Sequence, residues 1–232
     1  MSRQSVILVP GLMCSPDLFA PQRAALAGRA DVRVPEPSKD ATIAGMARRI
    51  LVAAPERFAL GGLSMGGYVA LEIVRQAPER VTRLALIDAS ARADRPDTVK
   101  LRRLLIGMGR TVGTRAVQSA LMKSLVHPSR LGDRELIDRI LAMADAIGQT
   151  AFERQSEALI ARDDYRPFLG EVRCPTLVMV GAQDQMTPVK IAQEISAGIA
   201  DSRLEVIPDC GHIATLERPE AVNSLLVEWL DA

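Results

Sequence analysis

Residues 62–67 read Gly-Leu-Ser-Met-Gly-Gly and lie between an apolar run, Phe58-Ala59-Leu60, and a stretch whose apolar side chains recur at helical spacing. A Gly-x-Ser-x-Gly string in that setting predicts a sharp strand-to-helix turn with Ser64 at its tip. Such a turn strains the backbone at the serine and brings the residues two before and two after it together. A Cβ there would clash, and Gly62 and Gly66 avoid it. A helix starting at Ser64 would aim its free N–H groups at the site and favour a developing negative charge. The competing reading is a Gly-rich surface turn whose serine only caps the helix.

The rest of the chain alternates short apolar runs with longer amphipathic segments, the pattern of a parallel sheet covered on both faces. Strands are expected at Ser5–Val9, Val32–Val34, Arg57–Leu60, Arg83–Asp88, Thr176–Gly181 and Arg203–Ile207. Most are unbroken β-branched and Leu-rich runs, as strands buried on both faces should be. Helices are expected at Ser64–Gln76 and at about Pro219–Leu230, where Val222, Leu225, Leu226 and Trp229 form one core-facing stripe. Between Ala91 and Val172 no strand is visible, only helical segments near Thr98–Met108, Thr114–Leu125, Arg134–Ile147 and Ala151–Ile160. Such an insertion has to sit over the carboxyl edge of the sheet, where strand-to-helix loops emerge. The expected organisation is an α/β core of residues 1–90 and 172–232, with about six mostly parallel strands, and a helical cap of residues 91–171.

With 232 residues, 48% of them hydrophobic, the chain can build one domain with a large core. A formal net charge of +1, with arginines scattered among acids, offers no field for nucleic acid or an anionic membrane. The apolar run Val6–Val9 stops at Pro10-Gly11, too short for a signal-peptide core, and no stretch is long enough to span a bilayer. Cys14, Cys174 and Cys210 form no CxxC pair, so neither a disulfide framework nor a zinc site is expected. These features point to a cytoplasmic protein without metal or cofactor, acting on a small molecule. Nothing in them sets an oligomeric state.

A nucleophilic serine needs a base, and the chain has two histidines. His212 follows the last expected strand in Asp209-Cys210-Gly211-His212, whereas His127 belongs to the insertion and reads as a solvated helix-end residue or a cap contact. The order Ser…Asp…His favours His212. For the acid that orients it, Asp184 is favoured over Asp88. Both end strands, but Asp184 stands in a turn before Thr187-Pro188 that would hold it still, and Asp88 reads as a loop-bonding residue. The backbone N–H of Met65 and that of Leu12, turned by Gly11, are the expected oxyanion donors.

With these residues in place the chain resembles the α/β-hydrolase superfamily over essentially its whole length, and most nearly its small capped esterases and enol-lactone hydrolases. The resemblance rests on Leu8-Val9-Pro10-Gly11, Gly62–Gly67, Cys174–Asp184 and Gly211-His212 with Glu217-Arg218-Pro219-Glu220. It implies a triad of Ser64, Asp184 and His212. Pro10 stands where the family commonly has histidine, which bears on the shape of the oxyanion loop. The leading strand hairpin common in the family has no counterpart, hence about six strands rather than eight. Serine at the elbow separates the chain from dehalogenase and epoxide-hydrolase relatives, which use a carboxylate there. The reading is a hydrolase of a small carboxylic ester or lactone. Alternatives are a thioester or carbon–carbon bond hydrolase on the same residues, or a ligand-binding protein that keeps the fold. Leu12, Met13, Met65, Met186 and Ile213 predict an apolar pocket, and no positive clamp for a dicarboxylate or a phosphorylated substrate is visible.

Overall fold

The structure, a computed structural model, describes residues 3–232. It contains a six-stranded parallel sheet: β1 (Gln4–Val9), β2 (Ala30–Arg33), β3 (Phe58–Leu63), β4 (Val81–Ile87), β5 (Thr176–Gly181) and β6 (Ser202–Ile207). The strand order is β2-β1-β3-β4-β5-β6. The chain therefore winds outward from β1 in one direction and then in the other. Loops leaving the carboxyl ends of β1 and β3 part there and open a crevice.

Continuous apolar runs become strands here because successive side chains are buried on opposite faces. Ile7, Val9, Leu84, Leu86, Val178 and Val180 enter one core with α2 (Ile43–Ala53), α3 (Met65–Gln76) and α7 (Val189–Gly198). Their neighbours Val6, Leu8, Ala85, Ile87, Leu177 and Met179 enter the other, with α1 (Ala20–Leu26) and α9 (Pro219–Asp231). Trp229 of α9 is 6% exposed and donates its indole N–H to the Leu84 carbonyl at 3.0 Å, so its role is the packing role its stripe predicts.

Three strands differ from expectation at both ends, and β1 and β6 each begin one residue early. β2 lies at Ala30–Arg33 rather than Val32–Val34, because its register with Gln4–Ile7 ends there, ahead of Pro35. β3 runs on through Gly61-Gly62-Leu63, which pair with Ala85–Ile87 on β4. Glycine is a poor strand former alone, and two flanking strands override that preference. β4 stops at Ile87, since Asp88 turns to a positive φ of 45°.

Between β4 and β5 the chain forms α4 (Pro96–Val112), α5 (Thr114–Leu125) and α6 (Arg134–Ile160). The two expected segments Arg134–Ile147 and Ala151–Ile160 are joined in α6 across a break at Gly148, whose φ is 71°. These helices share a small core of Ile106, Val117, Ala144 and Phe152 with Met13 from the loop after β1. A short α8 (Ala214–Glu217) precedes α9. Among the described residues no helix is long and apolar enough to cross a membrane. All three cysteines are free.

Candidate active site

The turn after β3 has the predicted strain. Ser64 sits at φ 53°, ψ −114°, a region that L residues rarely occupy. Its N–H is tied to the Ile87 carbonyl of β4 at 3.0 Å. A Cβ on Gly62 would collide with the Gly66 carbonyl, and one on Gly66 with the Val9 carbonyl. Neither position has room for any residue but glycine.

Ser64, His212 and Asp184 form a continuous hydrogen-bonded chain. His212 Nε2 lies 2.9 Å from Ser64 Oγ, and His212 Nδ1 lies 2.8 Å from Asp184 Oδ2. A carboxylate only accepts, so Nδ1 carries the proton and Nε2 is left to accept from the serine hydroxyl. Asp184 is held by the N–H groups of Met186 and Thr187 on Oδ1, at 2.7 and 2.9 Å, and by the Thr187 hydroxyl on Oδ2 at 2.7 Å. The turn before Pro188 thus immobilises the carboxylate. Gln183 binds the His212 loop twice: its N–H donates to the Cys210 carbonyl, and its side-chain oxygen accepts from the Cys210 N–H.

His212 and Asp184 are buried, at 3% and 4% exposure, and they shift each other's titration. Burial favours neutral imidazole, but the facing Asp184 outweighs it and holds the His212 pKa above its ordinary value. Burial would likewise raise Asp184, and His212 with the Thr187 hydroxyl reverses that, leaving it low.

Asp88, the competing acid, does not reach His212. Its carboxylate accepts from the Gly181 N–H at 2.8 Å and from the Ala214 N–H at 3.2 Å, tying β4 to β5 and to α8. Complete burial and the nearby Asp184 charge push its pKa well up. His127 also stays outside: its Nδ1 meets the Ser129 hydroxyl at 2.7 Å.

The N–H groups of Leu12 and Met65 have no protein acceptor among the described residues, and both residues border the cavity at Ser64. The neighbouring Met13 N–H is taken by Gln155 Oε1 of α6 at 3.1 Å, while Gln155 Nε2 donates to the Pro37 carbonyl at 3.1 Å. Gln155 is fully buried and holds the loop after β1 from the side of α6. Glu217 does the same for the histidine loop. It accepts from the Gly211 and Ile213 N–H groups at 3.0 and 3.3 Å and from the His127 N–H at 2.7 Å. The His212 N–H in turn donates to the Leu125 carbonyl of α5 at 2.8 Å. Sequence reasoning singled out neither Gln155 nor Glu217 for such a role. Glu217, five residues after His212, lies in a stretch that carries the family resemblance, and nothing local there marks it as buried.

The cavity over Ser64 has a volume of about 430 Å³, and Leu12, Met13, Met65, Met186 and Ile213 all border it, as expected. The expectation of no positive clamp is corrected. Arg92, Arg95, Arg102, Arg162 and Lys190 also border the cavity. Arg92, Arg95 and Arg102 come from one acid-interleaved stretch, and folding brings Arg162 and Lys190 to join them. Among the described residues no group of His, Cys, Asp and Glu side chains could hold a metal ion. Cys14 is buried beneath the site, and burial pushes its thiol up to about 12, which makes it a small apolar filler rather than a nucleophile.

A two-faced parallel sheet with a serine on a strained turn, facing a buried His–Asp pair, places the chain among α/β proteins that carry a serine elbow. The family model described as the alpha/beta hydrolase fold matches residues 53–219, and the chain belongs to that family. It is 27% identical over 240 residues to a pimeloyl-[acyl-carrier protein] methyl ester esterase from Aromatoleum aromaticum, covering 95% of each chain. A thermophilic esterase from Thermogutta terrifontis, solved with malate bound, superposes with a TM-score of 0.90 at 28% identity, over 99% of this chain and 90% of that one. The enol-lactonase from Burkholderia xenovorans LB400 superposes equally well, with a TM-score of 0.90 over 100% and 93% of the two chains, and at 24% identity shares the fold.

Proposed function

We propose that this α/β hydrolase is a serine hydrolase of a small carboxylic ester or lactone, working through an acyl-enzyme on Ser64 under a cap formed by residues 91–171. The observation that carries this reading is the chain from Ser64 Oγ to His212 Nε2 at 2.9 Å and from His212 Nδ1 to Asp184 at 2.8 Å. Ser64 Oγ attacks the carbonyl carbon while its proton passes to His212 Nε2. Asp184 stabilises the imidazolium so formed and keeps the ring oriented. The carbonyl oxygen, now an anion, is received by the N–H groups of Leu12 and Met65, with the N-terminus of α3 behind it. One such donor contributes about 3 kcal/mol to the transition state in comparable sites. The tetrahedral intermediate collapses, the proton on His212 goes to the leaving alkoxide, and the Ser64 ester remains. Water then repeats the cycle: His212 takes its proton, hydroxide adds to the acyl carbon, and Ser64 leaves with the proton returned.

An ester or lactone is preferred because the cavity walls nearest the serine are apolar and because relatives of the chain include esterases. The test is hydrolysis of short-chain p-nitrophenyl esters by the wild type and by Ser64→Ala, with fluorophosphonate labelling alongside. Turnover and labelling should both vanish in Ser64→Ala. A wild type with neither serine-dependent turnover nor labelling would instead be a ligand-binding protein on this fold.

A further inference from the structure

The cavity above Ser64 holds more positive charge than its own ion pairs consume. Five cationic side chains border it, Arg92, Arg95, Arg102, Arg162 and Lys190, against a single acid, Asp94. Arg162 is fully engaged. It donates to the carbonyls of Arg92 and Leu159 at 3.0 and 2.7 Å and to the Tyr68 hydroxyl at 3.0 Å. It also pairs with Asp94 at 2.7 Å, with its guanidinium 4.1 Å above the Tyr68 ring. Arg92 pairs with Glu194 at 2.8 Å.

Arg102 is different. Its Nε pairs with the other oxygen of Asp94 at 2.6 Å, and its two terminal nitrogens have no acceptor among the described residues. Asp94, with 3% of its side chain exposed, is thus clamped between two guanidinium groups and fixes the Arg102 fork at the cavity wall. Arg95 and Lys190 border the same cavity and pair with no carboxylate among the described residues. With Asp94 and Glu194 each cancelling one cation, three positive charges are left uncompensated around a cavity walled in part by Leu12, Met13, Met65 and Ile213. Low-dielectric walls concentrate that potential on whatever enters. A guanidinium already held in place loses little conformational freedom on binding an anion.

We propose that the substrate carries a free carboxylate in addition to its scissile ester or lactone, as in a half-ester of a dicarboxylic acid or a carboxylated lactone. Arg102, Arg95 and Lys190 receive that carboxylate. A carboxylate suits this wall because the two free terminal nitrogens of Arg102 can meet its two oxygens, and the Asp94 charge is already taken up by Arg102 and Arg162. For turnover the inference rests on the Ser64 reading; for binding it does not.

Two measurements test it on the full chain. The first compares p-nitrophenyl valerate with mono-p-nitrophenyl glutarate, equal in acyl length and differing by one carboxylate. In the wild type at low salt kcat/KM should favour the glutarate ester about tenfold, the usual effect of one charge-assisted contact. That preference should shrink as salt is raised and collapse in the double variant Arg95→Gln, Lys190→Gln, whose two side chains are exposed and so spare the fold. The second is calorimetric titration of glutarate, and separately of inorganic phosphate, into Ser64→Ala with and without Arg102→Gln. Glutarate should bind the first protein and not the second. Equal handling of the two esters together with no glutarate binding overturns the proposal, and so does tighter binding of phosphate than of glutarate. Glutarate binding without turnover of either ester supports the carboxylate site and overturns the hydrolase reading alone.

Discussion

At the scale of single residues, two aspartates at the ends of neighbouring strands have been given opposite tasks by their surroundings. Asp184 faces His212 and is stabilised as an anion, while Asp88 faces two backbone N–H groups and is penalised for its charge. Asp184→Asn should therefore lower kcat by about 10³–10⁴-fold, because the amide no longer selects the tautomer with Nε2 free. Asp88→Asn should keep most of the turnover and lose about 1–3 kcal/mol of stability, read by urea unfolding, since one of its two N–H partners goes unanswered. The His212 shift sets the pH dependence. A base whose pKa is raised is protonated, and so inactive, up to a higher pH. The acid limb of kcat/KM should turn over above the ordinary histidine value of about 6.5. Asp184→Asn removes the largest opposition to burial and leaves only Asp88 and Glu217 working against it, so any residual activity should show that limb displaced to lower pH.

At the scale of elements, the helices between β4 and β5 do more than cover the site. Gln155 of α6 holds the Met13 N–H, and the Leu125 carbonyl of α5 holds the His212 N–H. The loop carrying Leu12 and Met13 and the loop carrying His212 are thus both braced from the inserted helices. Gln155→Leu removes both side-chain hydrogen bonds and should lower kcat while leaving KM within a few-fold, because the Leu12 donor loses its alignment. Gln155→Glu keeps an acceptor for Met13 and should recover part of the loss. Equal falls in kcat for the two variants would count against an aligning role. Gln155 was not legible from sequence as a brace, since the Met13 N–H it holds is 142 positions away, and Glu217 was not legible as the link from the histidine loop to His127, 90 positions away. Nothing local marks such partners. The Gly62-x-Ser64-x-Gly66 turn was legible because its strain is relieved within five residues, where only glycine fits.

At the scale of the whole molecule, the sheet is buried between two cores, and α9 closes one of them. Trp229→Ala removes a buried aromatic and strands the Leu84 carbonyl, and should cost about 3–5 kcal/mol by urea unfolding with the chemistry at Ser64 intact in the fraction that stays folded. The sheet with helices on both faces and the strand count follow from the alternation of apolar runs and amphipathic segments, a pattern any compact fold of this chain has to bury. Strand limits were less legible: pairing with neighbours carried β3 through two glycines and ended β2 early.

The one-dimensional pattern therefore determined the fold class, the elbow and the order in which serine, aspartate and histidine arrive, because periodicity and local backbone sterics act over a few residues. Tertiary structure decided between the two aspartates the sequence offered, and alone decided which side chains brace the loops and that Arg162 and Lys190 join Arg92, Arg95 and Arg102 in one cavity around a single buried aspartate. Those outcomes depend on distances between segments far apart along the chain, and charge and hydrogen-bond energies follow distance in space rather than position in sequence.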